Sequence, residues 1–75
     1  MNAVIIDDEN KARSVLRMLL NEECPEVTVL GEASDLLEGV TLIKATKPDI
    51  VFLDIEMPEH SGLEILSFFE EEPIS

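Results

Sequence analysis

Three aspartates are placed to do chemistry. Asp7 and Asp8 follow the apolar run Ala3-Val4-Ile5-Ile6, and Asp54 follows a second run, Ile50-Val51-Phe52-Leu53. Short runs rich in β-branched residues, separated by helix-length segments, read as parallel strands buried on both faces. In an open parallel sheet, ligands bind beyond the carboxyl ends of the strands, where the strand order reverses. Two neighbouring strands that both end in carboxylates therefore build an acidic pocket at that place. Such a pocket suits a hard cation with oxygen ligands, and one of its carboxylates could serve as a nucleophile. Taken alone, Asp7 and Asp8 read as well as simple caps of the helix that follows. Their pairing with Asp54 beyond a buried strand favours the site, because clustered carboxylates need a compensating charge.

The elements that must position these residues alternate regularly. Residues 3–7 are expected to form the first strand. Helix one is expected from near Asn10, with Asp8 or Asn10 as N-cap, to a point before Cys24-Pro25. Ala12, Val15, Leu16, Leu19 and Leu20 repeat at i, i+3, i+4, i+7, i+8, which marks one buried stripe. Val27 to Leu30 reads as strand two, closing at Gly31. Asp35 and Glu38 are spaced as a capping box for helix two, whose face would carry Leu36, Leu37, Val40 and Ile43. Gly39 costs that helix about 1 kcal/mol relative to Ala. Lys47-Pro48 stops it, since a residue before proline avoids the helical region. Strand three is expected over 50–54, and Ser61 with Glu64 would cap a third helix with Ile65, Leu66 and Phe69 on its buried face. Right-handed crossovers with a reversal after strand two give the order 2-1-3, which brings Asp7, Asp8 and Asp54 together.

Composition narrows the function classes. The 75 residues hold 17 acidic and 5 basic side chains, a net charge of −12, with 45% hydrophobic residues. That balance is globular, and it offers no basic footprint for nucleic acid or for an anionic membrane. Cys24 is the single cysteine, so an internal disulfide is ruled out and a reducing compartment is expected. Neither a basic leader nor 18 successive apolar residues occur, and a cytoplasmic protein is the expectation. His60 reads as an exposed loop residue, and Glu70-Glu71-Glu72 as a solvated helix end that opposes the helix dipole.

Asp7-Asp8-Glu9 after the first strand, the string Leu53-Asp54-Ile55-Glu56-Met57-Pro58, and Gly62 eight residues past Asp54 together resemble the receiver domain of two-component response regulators. The wording of that string and Leu63-Glu64 look most like receivers that precede LytTR-type DNA-binding domains. The resemblance implies a flavodoxin-like α/β fold, βαβαβα here with parallel strand order 2-1-3. It is truncated relative to the five-stranded receiver, so that residues 1–75 form the N-terminal portion of a single domain. It implies that Asp54 accepts a phosphoryl group from a sensor histidine kinase and so switches an output domain. Asp7, Asp8, Asp54 and the backbone carbonyl of Glu56 would hold Mg²⁺ (or Mn²⁺), while Met57, Pro58 and Gly62 shape the loop and the start of helix three. Complete receivers add a Ser or Thr after strand four and a Lys after strand five, and neither strand is in this chain.

Two other classes compete. Haloacid-dehalogenase-type phosphatases also attack phosphorus with an Asp at the end of a parallel strand, but they want a second Asp where Glu56 stands. A degenerate receiver would act as an interaction module alone. In order 2-1-3, strand three lies at the sheet edge without a charge or proline to protect it, so an oligomer through the 50–54 edge is expected.

Overall fold

A computed structural model of the chain describes residues 1–54. Its elements, in chain order, are β1 (Asn2–Ile6), α1 (Asn10–Glu23), β2 (Thr28–Ala33), α2 (Leu36–Thr46) and β3 (Ile50–Leu53). The three strands form one parallel sheet in the order β2-β1-β3. The fold is therefore α/β, as the alternation of apolar runs and helical stripes implied, and flavodoxin-like, as the resemblance implied. The expected third helix lies outside the described residues.

The most apolar run takes the centre of the sheet. Ala3, Val4, Ile5 and Ile6 are all buried, because β1 is covered on both faces and paired on both edges. Successive strand residues point to opposite faces, and on β2 these are Ala33 and Glu32. Ala33 packs with Ile6, Leu36 and Val40 in the core under α2. Glu32 instead meets Arg13 and Arg17 of α1. The two helices thus cover opposite faces of the sheet.

Strand two differs from its expected bounds. Val27 precedes it, and it continues beyond Gly31 to Ala33. Ala3 pairs with Val29 and Val4 with Gly31, so Leu30 is an extra residue in the ladder and lies exposed. A glycine followed by a charged residue ended the apolar pattern in the sequence, whereas the backbone ladder carries on through both. Strand one ends at Ile6 and strand three at Leu53, each one residue short of its aspartate.

The helix caps also differ in part. The N-cap of α1 is Glu9, not Asp8 or Asn10, and no side chain caps it. Asp7 turns back instead, its Oδ1 accepting from the Glu9 N–H at 2.9 Å. Such a local bond to a backbone two residues on is the turn chemistry of aspartate. Asp35 does cap α2, accepting from the Glu38 N–H at 2.8 Å. Glu38 returns to Ser34, through its N–H at 3.3 Å and its hydroxyl at 3.2 Å, so the box closes one residue early. Lys47 leaves the helix in the left-handed region, φ 49°, directly before Pro48.

The stripe on α1 is only partly covered. Leu20 is buried and Ala12 and Leu16 are half-buried, but Val15 and Leu19 are exposed, with Met18 beside them. On α2, Leu37 is exposed while Leu36 and Val40 are buried. Periodicity finds the apolar face of a helix; burial also requires something to lie over it, and no described residue covers these positions.

Candidate functional site

Two backbone hydrogen bonds carry the strand ladders one step past the strands and bring the aspartates together. The Asp7 N–H donates to the Ala33 carbonyl at 3.0 Å, and the Asp54 N–H donates to the Ile6 carbonyl at 3.0 Å. Asp54 therefore enters beside the peptide that leads into Asp7. Carboxylate oxygens of Asp7, Asp8 and Asp54 lie within 4.8 Å of one another. Asp7 and Asp54 are half-buried and Asp8 is exposed. The site is open to solvent on the Asp8 side and walled by the sheet on the other.

Like charges at this spacing are unfavourable. Two unit charges about 4 Å apart repel by about 1 kcal/mol in water, and more near a protein surface. The donor set is three hard carboxylates, without thiolate or imidazole among them. It fits an oxygen-seeking divalent cation such as Mg²⁺ or Mn²⁺ and does not fit a soft metal.

A second cluster, which the sequence reading did not single out, braces the site from below. Glu32 pairs with Arg13 at 3.1 Å and with Arg17. The Arg17 hydrogen bond, joined by that of Arg13 and by both charges, holds the Glu32 carboxyl below its ordinary range despite partial desolvation. Arg13 also donates to the Asp7 carbonyl and to Asn10 Oδ1. Part of the signal was present in the sequence, although the pairing of helix and strand was not. Arg13 and Arg17 are spaced i, i+4 on the helix face that meets the sheet, and Glu32 interrupts a strand as a charge needing a partner. Asp49, directly before β3, ties the sheet at its other end. Its carboxylate accepts from the Asn2 N–H at 2.8 Å, and its own N–H donates to the Asn2 carbonyl at 2.9 Å.

The other expected site residues, Glu56, Met57, Pro58 and Gly62, lie outside the described residues, as does His60. Among the described residues no helix is long and apolar enough to cross a membrane.

Comparison with known proteins decides the family. The model of the response regulator receiver domain matches residues 3–75. The chain belongs to that family. It is 47% identical over 72 residues to an uncharacterized response regulatory protein of Vibrio cholerae, covering 96% of this chain and 30% of that protein. It is 39% identical over 72 residues to the transcriptional regulatory protein BtsR of Escherichia coli K12, again with 96% and 30% covered. The chain thus spans under a third of the length of these relatives. Among solved structures, the response regulator domain of Thermotoga maritima CheB matches with a TM-score of 0.83 at 33% identity, over 97% of this chain and 54% of that one. A LuxR-family response regulator from Aurantimonas matches with a TM-score of 0.83 at 31% identity, over 93% and 49%.

Proposed function

We propose that this receiver, as the N-terminal portion of its domain, accepts a phosphoryl group on Asp54 from a sensor histidine kinase, and that the modification switches an output domain in the intact protein. The observation that carries this reading is the approach of the Asp7, Asp8 and Asp54 carboxylates at the ends of two adjacent strands. Relatives named as transcriptional regulators support a DNA-binding output domain, of LytTR type by the wording around Asp54.

In this reading a carboxylate oxygen of Asp54 attacks phosphorus. The bond from phosphorus to the kinase histidine nitrogen breaks, and an acyl phosphate forms on Asp54, while the proton needed by the leaving imidazole comes from solvent. Phosphoryl transfer needs in-line positioning and charge neutralisation more than covalent help. Asp7 and Asp8, with one oxygen of Asp54 and the Glu56 carbonyl, would hold Mg²⁺ or Mn²⁺. Such an ion, when bound, neutralises the oxygens of the incoming phosphoryl group. The half-burial of Asp54 against the sheet supports an approach of that group from the solvent side.

The chain is on this view a signalling substrate and not a phosphatase. Incubation of the intact protein with acetyl phosphate should label it with a bond cleaved by hydroxylamine. Asp54→Asn should abolish the label while leaving the circular dichroism spectrum unchanged. Full labelling of that variant would place the nucleophile elsewhere, and multiple turnover of a phosphate ester would favour the phosphatase reading.

A further inference from the structure

Arg13 sits in the first turns of α1, yet its guanidinium binds in three places. Nε–H donates to Glu32 Oε1 on β2 at 3.1 Å, one terminal nitrogen donates to the Asp7 carbonyl at 2.5 Å, and the other donates to Asn10 Oδ1 at 3.1 Å. The side chain is only 14% exposed. The Asp7 carbonyl belongs to the peptide that joins Asp7 to Asp8. The orientation of that peptide sets the direction in which Asp8 leaves the backbone. Around it, the Asp7 N–H is already held by Ala33, and Asp7 Oδ1 is held by the Glu9 N–H. These bonds hold the backbone just before the Asp7–Asp8 peptide and the Asp7 side chain beside it, and Arg13 grips the carbonyl of the peptide itself.

We propose that Arg13 is a positioning residue for the divalent-cation site: by clamping the Asp7–Asp8 peptide it holds those two carboxylates in one pocket with Asp54. The inference rests on the reading of Asp7, Asp8 and Asp54 as a cation site. The planar, forked guanidinium is suited to this task, because its N–H groups point in fixed directions that an ammonium group cannot reproduce. Glu32, shared by Arg13 and Arg17, offsets one of their two positive charges and fixes the direction of the Arg13 fork. Arg17 shares Glu32 but makes no hydrogen bond to the Asp7–Asp8 peptide, which makes it the natural control.

The test measures Mn²⁺ affinity of the intact protein from the paramagnetic resonance signal of free Mn²⁺, alongside amide NMR of the metal-free protein. Loss of a residue that orients metal ligands typically weakens binding by 10–100-fold. Arg13→Lys and Arg13→Gln should weaken Mn²⁺ binding by about tenfold and shift the Asp8 and Glu9 amide signals before any metal is added. Arg17→Gln should lower stability toward urea and leave the affinity within about twofold of native. Native affinity in Arg13→Lys overturns the proposal, and so does equal weakening by Arg17→Gln, which would assign the effect to charge or stability. Where Arg13→Gln does not fold, Glu32→Gln loosens the same clamp and should weaken Mn²⁺ about threefold; native affinity there also overturns it. A native protein that binds no Mn²⁺ would remove the cation site itself, and this inference with it.

Discussion

Gly39 lies so close to Ile6 that a Cβ built on it would stand 2.6 Å from Ile6 Cδ1 and 3.0 Å from both Cγ atoms. The glycine that weakens α2 as a helix is what lets that helix settle on the central strand. Ile6 is also the residue whose carbonyl receives the Asp54 N–H. Helix packing on one face and the geometry of the site are joined through this one residue, by its side chain and its carbonyl.

Replacing Gly39 by Ala should therefore destabilise the receiver, although Ala is the better helix former by about 1 kcal/mol. Overpacking a filled core costs typically about 1–3 kcal/mol, and Ile6 is fully buried with nowhere to retreat. A net loss of about 1 kcal/mol is expected from urea unfolding. Gly39→Ser should behave likewise, and stabilisation by Ala would mean that α2 can lift from the sheet without cost.

How much of this was legible beforehand depends on the range of each interaction. The apolar runs ending in Asp7-Asp8 and Asp54 announced parallel strands, and the order 2-1-3 followed from connection rules. The Asp35 cap was readable because it is local. The role of Gly39 was not, since its partner is 33 residues away and glycine looks the same whether it marks a loose helix or a tight contact. The extension of β2 through Glu32 was hidden because a charge in a strand is explained only by Arg13 and Arg17 on a distant helix. Periodicity marked the apolar stripe of α1 and is silent on what covers each position, so which of its residues are buried (Leu20) and which exposed (Val15, Leu19) was not readable from it.

Divalent cations should stabilise the fold through the aspartates. Binding to the native state alone adds about 2.7 kcal/mol at one hundred times Kd. Thermal melts with and without Mg²⁺ at constant ionic strength should show the rise in the native chain. The double variant Asp8→Asn, Asp54→Asn should lose it, and should melt higher than native in the absence of metal, since two repelling charges are gone. An equal Mg²⁺ shift in both proteins would disprove a specific site.

The Glu32 pairing should leave a signature at acid pH. Its carboxyl titrates lower in the folded chain than in the unfolded one, where about 4.3 is usual. In the window between those two values the unfolded state binds more protons, so stability rises with pH. The contribution is complete above the unfolded value and is lost as pH falls through the folded one. The partly exposed Arg17 and Glu32 side chains keep it modest. Urea unfolding of native and Glu32→Gln proteins should differ by a constant amount above about pH 5.5, and the difference should shrink steadily below about pH 4. A pH-independent difference would mean that Glu32 acts through packing and not through charge.

The 75-residue chain by itself should associate. No described strand pairs with the outer edge of β3, whose four residues, Ile50 to Leu53, carry neither charge nor proline, and Val51 is 37% exposed there. Edges of this kind invite pairing with another chain. Val15, Met18 and Leu19 add an apolar patch on α1, about half exposed in each case. Light scattering across a dilution series should give an apparent mass that rises with concentration. Val51→Lys, which places a charge on the edge, should lower it, and Met18→Lys should lower it further if the α1 patch takes part. A cooperatively melting monomer at every concentration would show that the edge is covered within the chain itself, and that association needs another cause wherever it is seen.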